Sequence, residues 1–238
     1  MKGCFTIILS TVSVLIFMVS CAEDPTVTRH SVLVVDVTSA DRRAIPDAQV
    51  LMDIVKKDKS NNTDGQIISF TLLDDLSGSP FVEESLSPSS GNAAVENPVK
   101  RKRQAEEFYA GVTQKISQKL ENADIDRNYS KIYIKLCKSL QYLAQSGAEV
   151  KQMIIYSDFL ENSESVSFYK KEQLEAATNG PEKFYNDFFS KSCELPDLSG
   201  MEIHLYVLRD SKTDLSVQKA EKFWVELFKV KGAKVLVD

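Results

Sequence analysis

The chain has 238 residues, 43% of them hydrophobic and 26% charged, with a formal net charge of -5, the proportions of an ordinary soluble globular protein. That length suits one large α/β domain and falls short of two. The acidic balance excludes the basic footprint by which a domain binds nucleic acid, so no DNA or RNA partner is expected.

Residues 1–20 depart from this composition. Lys2 gives a positive start, and Phe5 to Met18 is a nearly uncharged apolar run. It is shorter than the roughly 20 residues of a membrane-spanning helix. The run ends in Met18-Val19-Ser20-Cys21 and passes at once into Ala22-Glu23-Asp24-Pro25. This resembles the lipobox of bacterial lipoproteins. The resemblance implies that residues 1–20 are a signal peptide and that Cys21 becomes the acylated N-terminus, the site of lipid attachment. The mature protein is then anchored to a membrane outside the cytoplasm, at the periplasmic face or the cell surface. An uncleaved anchor or an ordinary secretory cut is the alternative.

Residues 21–30 read as a tether and residues 31–238 as the domain. Ser31 to Asp36 is a buried strand, because Val32-Leu33-Val34-Val35 is apolar throughout and mostly β-branched. Ile45-Pro46 opens a helix carrying Val50, Leu51, Ile54 and Val55, and Gln66 to Leu73 is a second strand. Residues 76–103, dense in Ser, Pro, Gly and Asn, read as a mobile insertion. That segment closes on Lys100-Arg101-Lys102-Arg103, a solvated lead into a helix or an interaction patch. Gln104 to Leu120 is an amphipathic helix, and Tyr129-Ser130 starts another that stops at Gly147. Gln152 to Ser157 is a strand that runs into Asp158. Lys171 to Thr178 and Pro181 to Ser190 are helices, Met201 to Leu208 a strand, Leu215 to Val230 a helix and Ala233 to Val237 a strand. Of the four cysteines, Cys137 and Cys193 remain for the domain; they either pair or serve as a buried hydrophobe and a free thiol.

Strands separated by helices imply parallel pairing through right-handed crossovers, hence a three-layer, doubly wound, mainly parallel α/β sheet. Ligands of such sheets bind beyond the carboxyl ends of the strands, where the winding reverses. If the first strand and the Gln152–Ser157 strand are neighbours there, Asp36 and Asp158 converge. Two carboxylates in one cleft stay ionised most simply around a hard divalent cation, and oxygen donors suit magnesium. Thr38 adds a hydroxyl on the same turn as Asp36, and Ser130 offers a third oxygen. As alternatives, Asp36 and Asp158 are loop acceptors and Ser130 is a helix N-cap.

The pattern Asp36-Val37-Thr38-Ser39-Ala40, with Ser130 and Ser157-Asp158, resembles the von Willebrand factor type A domain family, over nearly the whole mature chain. In that family the first strand ends in Asp-x-Ser-x-Ser. A Thr or Ser from a later loop and an Asp after a central strand complete a metal-ion-dependent adhesion site, which takes a carboxylate from a bound partner. The resemblance implies a metal site of Asp36, Thr38, Ser130 and Asp158, a Mg2+ ion and a protein or peptide partner. Tyr156-Ser157-Asp158-Phe159-Leu160-Glu161-Asn162-Ser163 also looks like a stretch of a bacterial branch of these proteins. Ala40 departs from the pattern where a second hydroxyl belongs, which implies weaker metal binding. A metal-independent scaffold on the same fold is the alternative. An enzyme is not expected: a phosphotransferase reading of Asp36 needs an acid two residues on, where Thr38 stands, and no Gly-rich phosphate loop or zinc-ligand spacing is present.

Overall fold

A computed structural model of the chain describes residues 27–38, 45–57, 64–73, 81–89, 97–123, 130–207 and 214–237. In chain order the elements are β1 (Thr28–Asp36), α1 (Ala48–Lys57), β2 (Gly65–Leu73), β3 (Val82–Leu86), α2 (Pro98–Glu121), α3 (Ile132–Ala144) and β4 (Val150–Ser157). They continue with α4 (Lys171–Asn179), α5 (Pro181–Phe184) with a π-helical turn (Tyr185–Phe189), β5 (Met201–Val207), α6 (Leu215–Val230) and β6 (Lys234–Val237). One six-stranded sheet forms in the order β3-β2-β1-β4-β5-β6, parallel except for the β2–β3 pair. This is the doubly wound α/β architecture expected, with an antiparallel strand at one edge.

The apolar run in β1 is buried because helices cover both faces. Val32 and Val34 pack with α3, α4, α5 and α6, whereas Leu33 and Val35 pack with α1 and α2. Successive side chains of a strand point to opposite faces, so a central strand has no face left for polar residues until its ends.

Within the segment 76–103, the described residues 81–89 and 97–103 include regular structure that the composition does not suggest. They supply β3, which pairs with β2 from Gln66↔Leu86 to Phe70↔Val82, and the start of α2. β3 reads Val-Glu-Glu-Ser-Leu and alternates half-buried and exposed, as a charged edge strand does. α2 begins six residues before Gln104, at Pro98. Asn97 caps it by accepting a hydrogen bond from Val99 N at 2.9 Å.

Cys137 on α3 is joined by a disulfide to Cys193, in the loop after the π-helical turn. Among the described residues no helix is long and apolar enough to cross a membrane. Residues 1–26, with the signal-peptide reading and Cys21, lie outside the described residues, as does Ala40.

Candidate metal centre

The sheet order reverses between β1 and β4. These strands pair in parallel, with Val35 opposite Tyr156, so Asp36 ends β1 beside Ser157 at the end of β4. Asp36 is fully buried, and each of its oxygens is engaged. Oδ1 accepts from Thr38 N at 2.9 Å and from Thr38 Oγ1 at 2.6 Å, and Oδ2 accepts from Ser157 Oγ at 2.6 Å. Burial pushes the carboxyl above its usual range, while the Ser157 and Thr38 hydrogen bonds pull the other way.

Thr38 Oγ1 also lies 3.0 Å from Ser130 Oγ. Since the Thr38 proton goes to Asp36, Ser130 is the donor in that contact. Ser130 is held by its main chain, which exchanges two 2.9 Å hydrogen bonds with Asn162. It is not the N-cap of α3. That place belongs to Lys131, which makes no side-chain cap, and a distant carboxylate serves the helix instead. Glu161 Oε2 accepts from Tyr133 N at 2.8 Å. Glu161 is buried, and burial, reinforced by the charge of Asp36, raises its carboxyl to about 7 against the pull of its hydrogen bonds.

Asp158 is half-buried just beyond β4, where its Oδ1 accepts from Leu160 N at 2.9 Å. The turn is sharp because Phe159 adopts φ 62°, a left-handed conformation that costs a bulky residue about 1–3 kcal/mol. Tight packing holds it there. The Phe159 side chain is wholly buried, its N–H donates to Ser157 Oγ at 2.9 Å, and its carbonyl accepts from Trp224 Nε1 at 3.0 Å. Beyond this turn stands exposed Tyr169. Partial desolvation and the nearby carboxylates of Asp158, Asp36 and Asp214 push its phenol up to about 12, so it stays a hydrogen-bond donor.

The structure thus links Asp36, Thr38 and Ser130 in one hydrogen-bonded chain. Asp158 is not part of that chain: it follows Ser157 just beyond β4, with its carboxylate bonded locally to Leu160 N. Among the described residues no group of three or more His, Cys, Asp and Glu side chains is spaced to hold a metal. A centre here would rest on hydroxyls as much as on carboxylates. The donors are all oxygen, the Thr38 and Ser130 hydroxyls keep lone pairs for a cation, and a cation would favour the ionised form of Asp36 that burial penalises. All-oxygen donors are the kind that hard ions such as Mg2+ take, and here both Asp36 oxygens already accept hydrogen bonds from Thr38 and Ser157.

Two members of the cluster escaped the sequence reading. Ser157 was visible as half of Ser157-Asp158, but its bond to Asp36 depends on the β1–β4 register. Glu161 follows Phe159-Leu160, and nothing local marks it as the cap of α3.

No protein-family model matches the chain, and no curated protein is significantly similar to it.

Proposed function

We propose that this is a membrane-anchored, extracytoplasmic binding protein with a von Willebrand factor type A-like domain. Its adhesion-type site holds Mg2+ through Asp36, Thr38, Ser130 and Asp158 and engages a carboxylate of a protein or peptide partner. The observation that carries the reading is the chain Ser130–Thr38–Asp36 at the reversal point of the sheet. The Cys137–Cys193 disulfide supports a location outside the cytoplasm, since such bonds persist in oxidising compartments. No catalytic role is assigned. Asp36 is buried with its oxygens engaged, an arrangement unsuited to a nucleophile.

That same saturation favours a second reading, a metal-independent interaction domain in which Thr38 and Ser157 alone satisfy Asp36. Titration of Mg2+ or Mn2+ into the lipoprotein, wild type against Asp158→Ala, separates the two. The metal reading expects a binding signal that the variant loses; no binding in the wild type would leave the scaffold reading.

A further inference from the structure

We infer that the basic start of α2 is a surface that this domain lays on an anionic phospholipid bilayer. The inference rests on the lipid-anchor reading of Cys21. Lys100, Lys102 and Arg103 are exposed, and beside them Val99 is 77% exposed. The fourth cation of the run, Arg101, is buried and fixes the position of the others: its Nη2 donates to the carbonyl of Asp64 at 2.8 Å. The Asp64 carboxylate in turn accepts from Val27 N and from Arg29 Nε, each at 3.3 Å, and Gly65 N donates to Val27 O at 2.9 Å. The basic turn is therefore tied through Asp64 to the point where the N-terminal segment joins β1.

Tether length makes that adjacency consequential. Six residue steps separate Cys21 from Val27, a reach of about 20 Å when fully extended. An acyl chain on Cys21 would keep the amino end of β1, and the basic turn beside it, close to the headgroups. The charges themselves do little for the helix. α2 has no acidic residue in its first turn, and cations at that end oppose the helix dipole. Their partners one turn on, Lys102 with Glu106 at 3.9 Å and Arg103 with Glu107 at 3.4 Å, are exposed pairs of the kind that contribute little. A complementary anionic surface gives these charges a use, as juxtamembrane basic clusters have on acidic lipid. The candidate metal centre lies at the other end of β1, eight residue steps and about 26 Å away, so this docking would turn it outward toward a partner.

The test uses the acylated protein on phosphatidylcholine vesicles with and without phosphatidylglycerol. The readout is the rate at which a water-soluble amine reagent labels Lys100 and Lys102, with exposed Lys171 as internal control. Docking expects labelling of the first two to slow about tenfold on the anionic vesicles alone, to recover in high salt, and to leave Lys171 unchanged. Equal rates on both vesicles, with the protein still bound to them, would overturn docking and leave the anchor intact. Protection by soluble polyglutamate but not by phosphatidylglycerol would overturn it in favour of an acidic protein partner. A Cys21→Ser chain that stays on neutral vesicles as firmly as the wild type would show instead that the anchor reading had failed.

Discussion

β1 carries a buried polar cluster at each end, and the two are built from similar groups to different effect. At the amino end His30 Nε2 lies 2.9 Å from Ser69 Oγ, and Ser69 donates to Glu83 Oε2 at 2.8 Å. His30 must therefore be the donor to Ser69, which leaves Nδ1 as a bare buried acceptor with no hydrogen-bond partner. Tyr142 of α3 closes the cluster by donating to Glu83, meeting His30 edge-on at 5.5 Å and stacking on Phe81 at 4.6 Å. The result is a clasp that fastens edge strand β3 to β1, β2 and α3. At the carboxyl end the chain of Ser130, Thr38, Asp36 and Ser157 is equally well bonded, with Thr38 half-buried in it and half-buried Asp158 next in sequence after Ser157. Both clusters reach solvent, the first through Glu83 and the second through Thr38, but only the second lies where the sheet order reverses, the place where such sheets take ligands.

α3 joins the two clusters, with its first turn bonded by Glu161 and Tyr142 near its last. Cutting its disulfide should disturb both and give the largest effect. Closing a loop of 56 residues is worth about 4 kcal/mol in the chain-entropy model, so Cys137→Ala with Cys193→Ala should lower urea-unfolding stability by roughly that amount. Ser157→Ala acts at the carboxyl end alone. It leaves Asp36 Oδ2 without its Ser157 donor and should cost about 2 kcal/mol. Tyr142→Phe acts at the amino end and should cost about 1 kcal/mol, because Glu83 keeps its bond from Ser69 and is partly solvated.

The most discriminating contrast is in pH. Burial lowers the His30 pKa from 6.5 despite Glu83 nearby, with Lys151 adding to the lowering, so the fold prefers the neutral ring. That stability is fully present above pH 6.5 and is lost as pH falls below it. Glu161 runs the other way. Its pKa is raised from 4.5 to about 7, so its contribution is fully present below pH 4.5 and is lost as pH rises through 7. Glu161→Gln should gain on the wild type between pH 5 and 8, and His30→Gln should gain on it between pH 7 and 5. Parallel profiles for the two variants would break the comparison.

Most of this frame was legible in the sequence because it depends on patterns within single segments. Val32 to Asp36 announced a central strand with a polar tip, and Met153 to Asp158 a second. α6 was readable end to end because Asp214 caps it, accepting from Ser216 N at 2.8 Å, before a periodic apolar face. What was hidden depends on partners distant in sequence. β3 is short, charged and held by pairing with β2, so its composition looks like a loop. Ser130 invited an N-cap reading because it precedes a helix, yet its hydroxyl goes to Thr38, 92 residues away. The Cys137–Cys193 pairing could not be chosen from spacing. The reading of one helix over 181–190 missed the π-helical turn, which no propensity marks.

The most direct measurement is calorimetric titration of Mg2+ into three forms of the protein: wild type, Thr38→Val at the carboxyl end of β1 and Ser69→Ala at the amino-end clasp. The expected result is binding in the wild type, its loss in Thr38→Val and its retention in Ser69→Ala, with all three folded by circular dichroism. No Mg2+ binding by the wild type, or equal binding by wild type and Thr38→Val, would contradict the assignment of a metal centre to this end of the sheet.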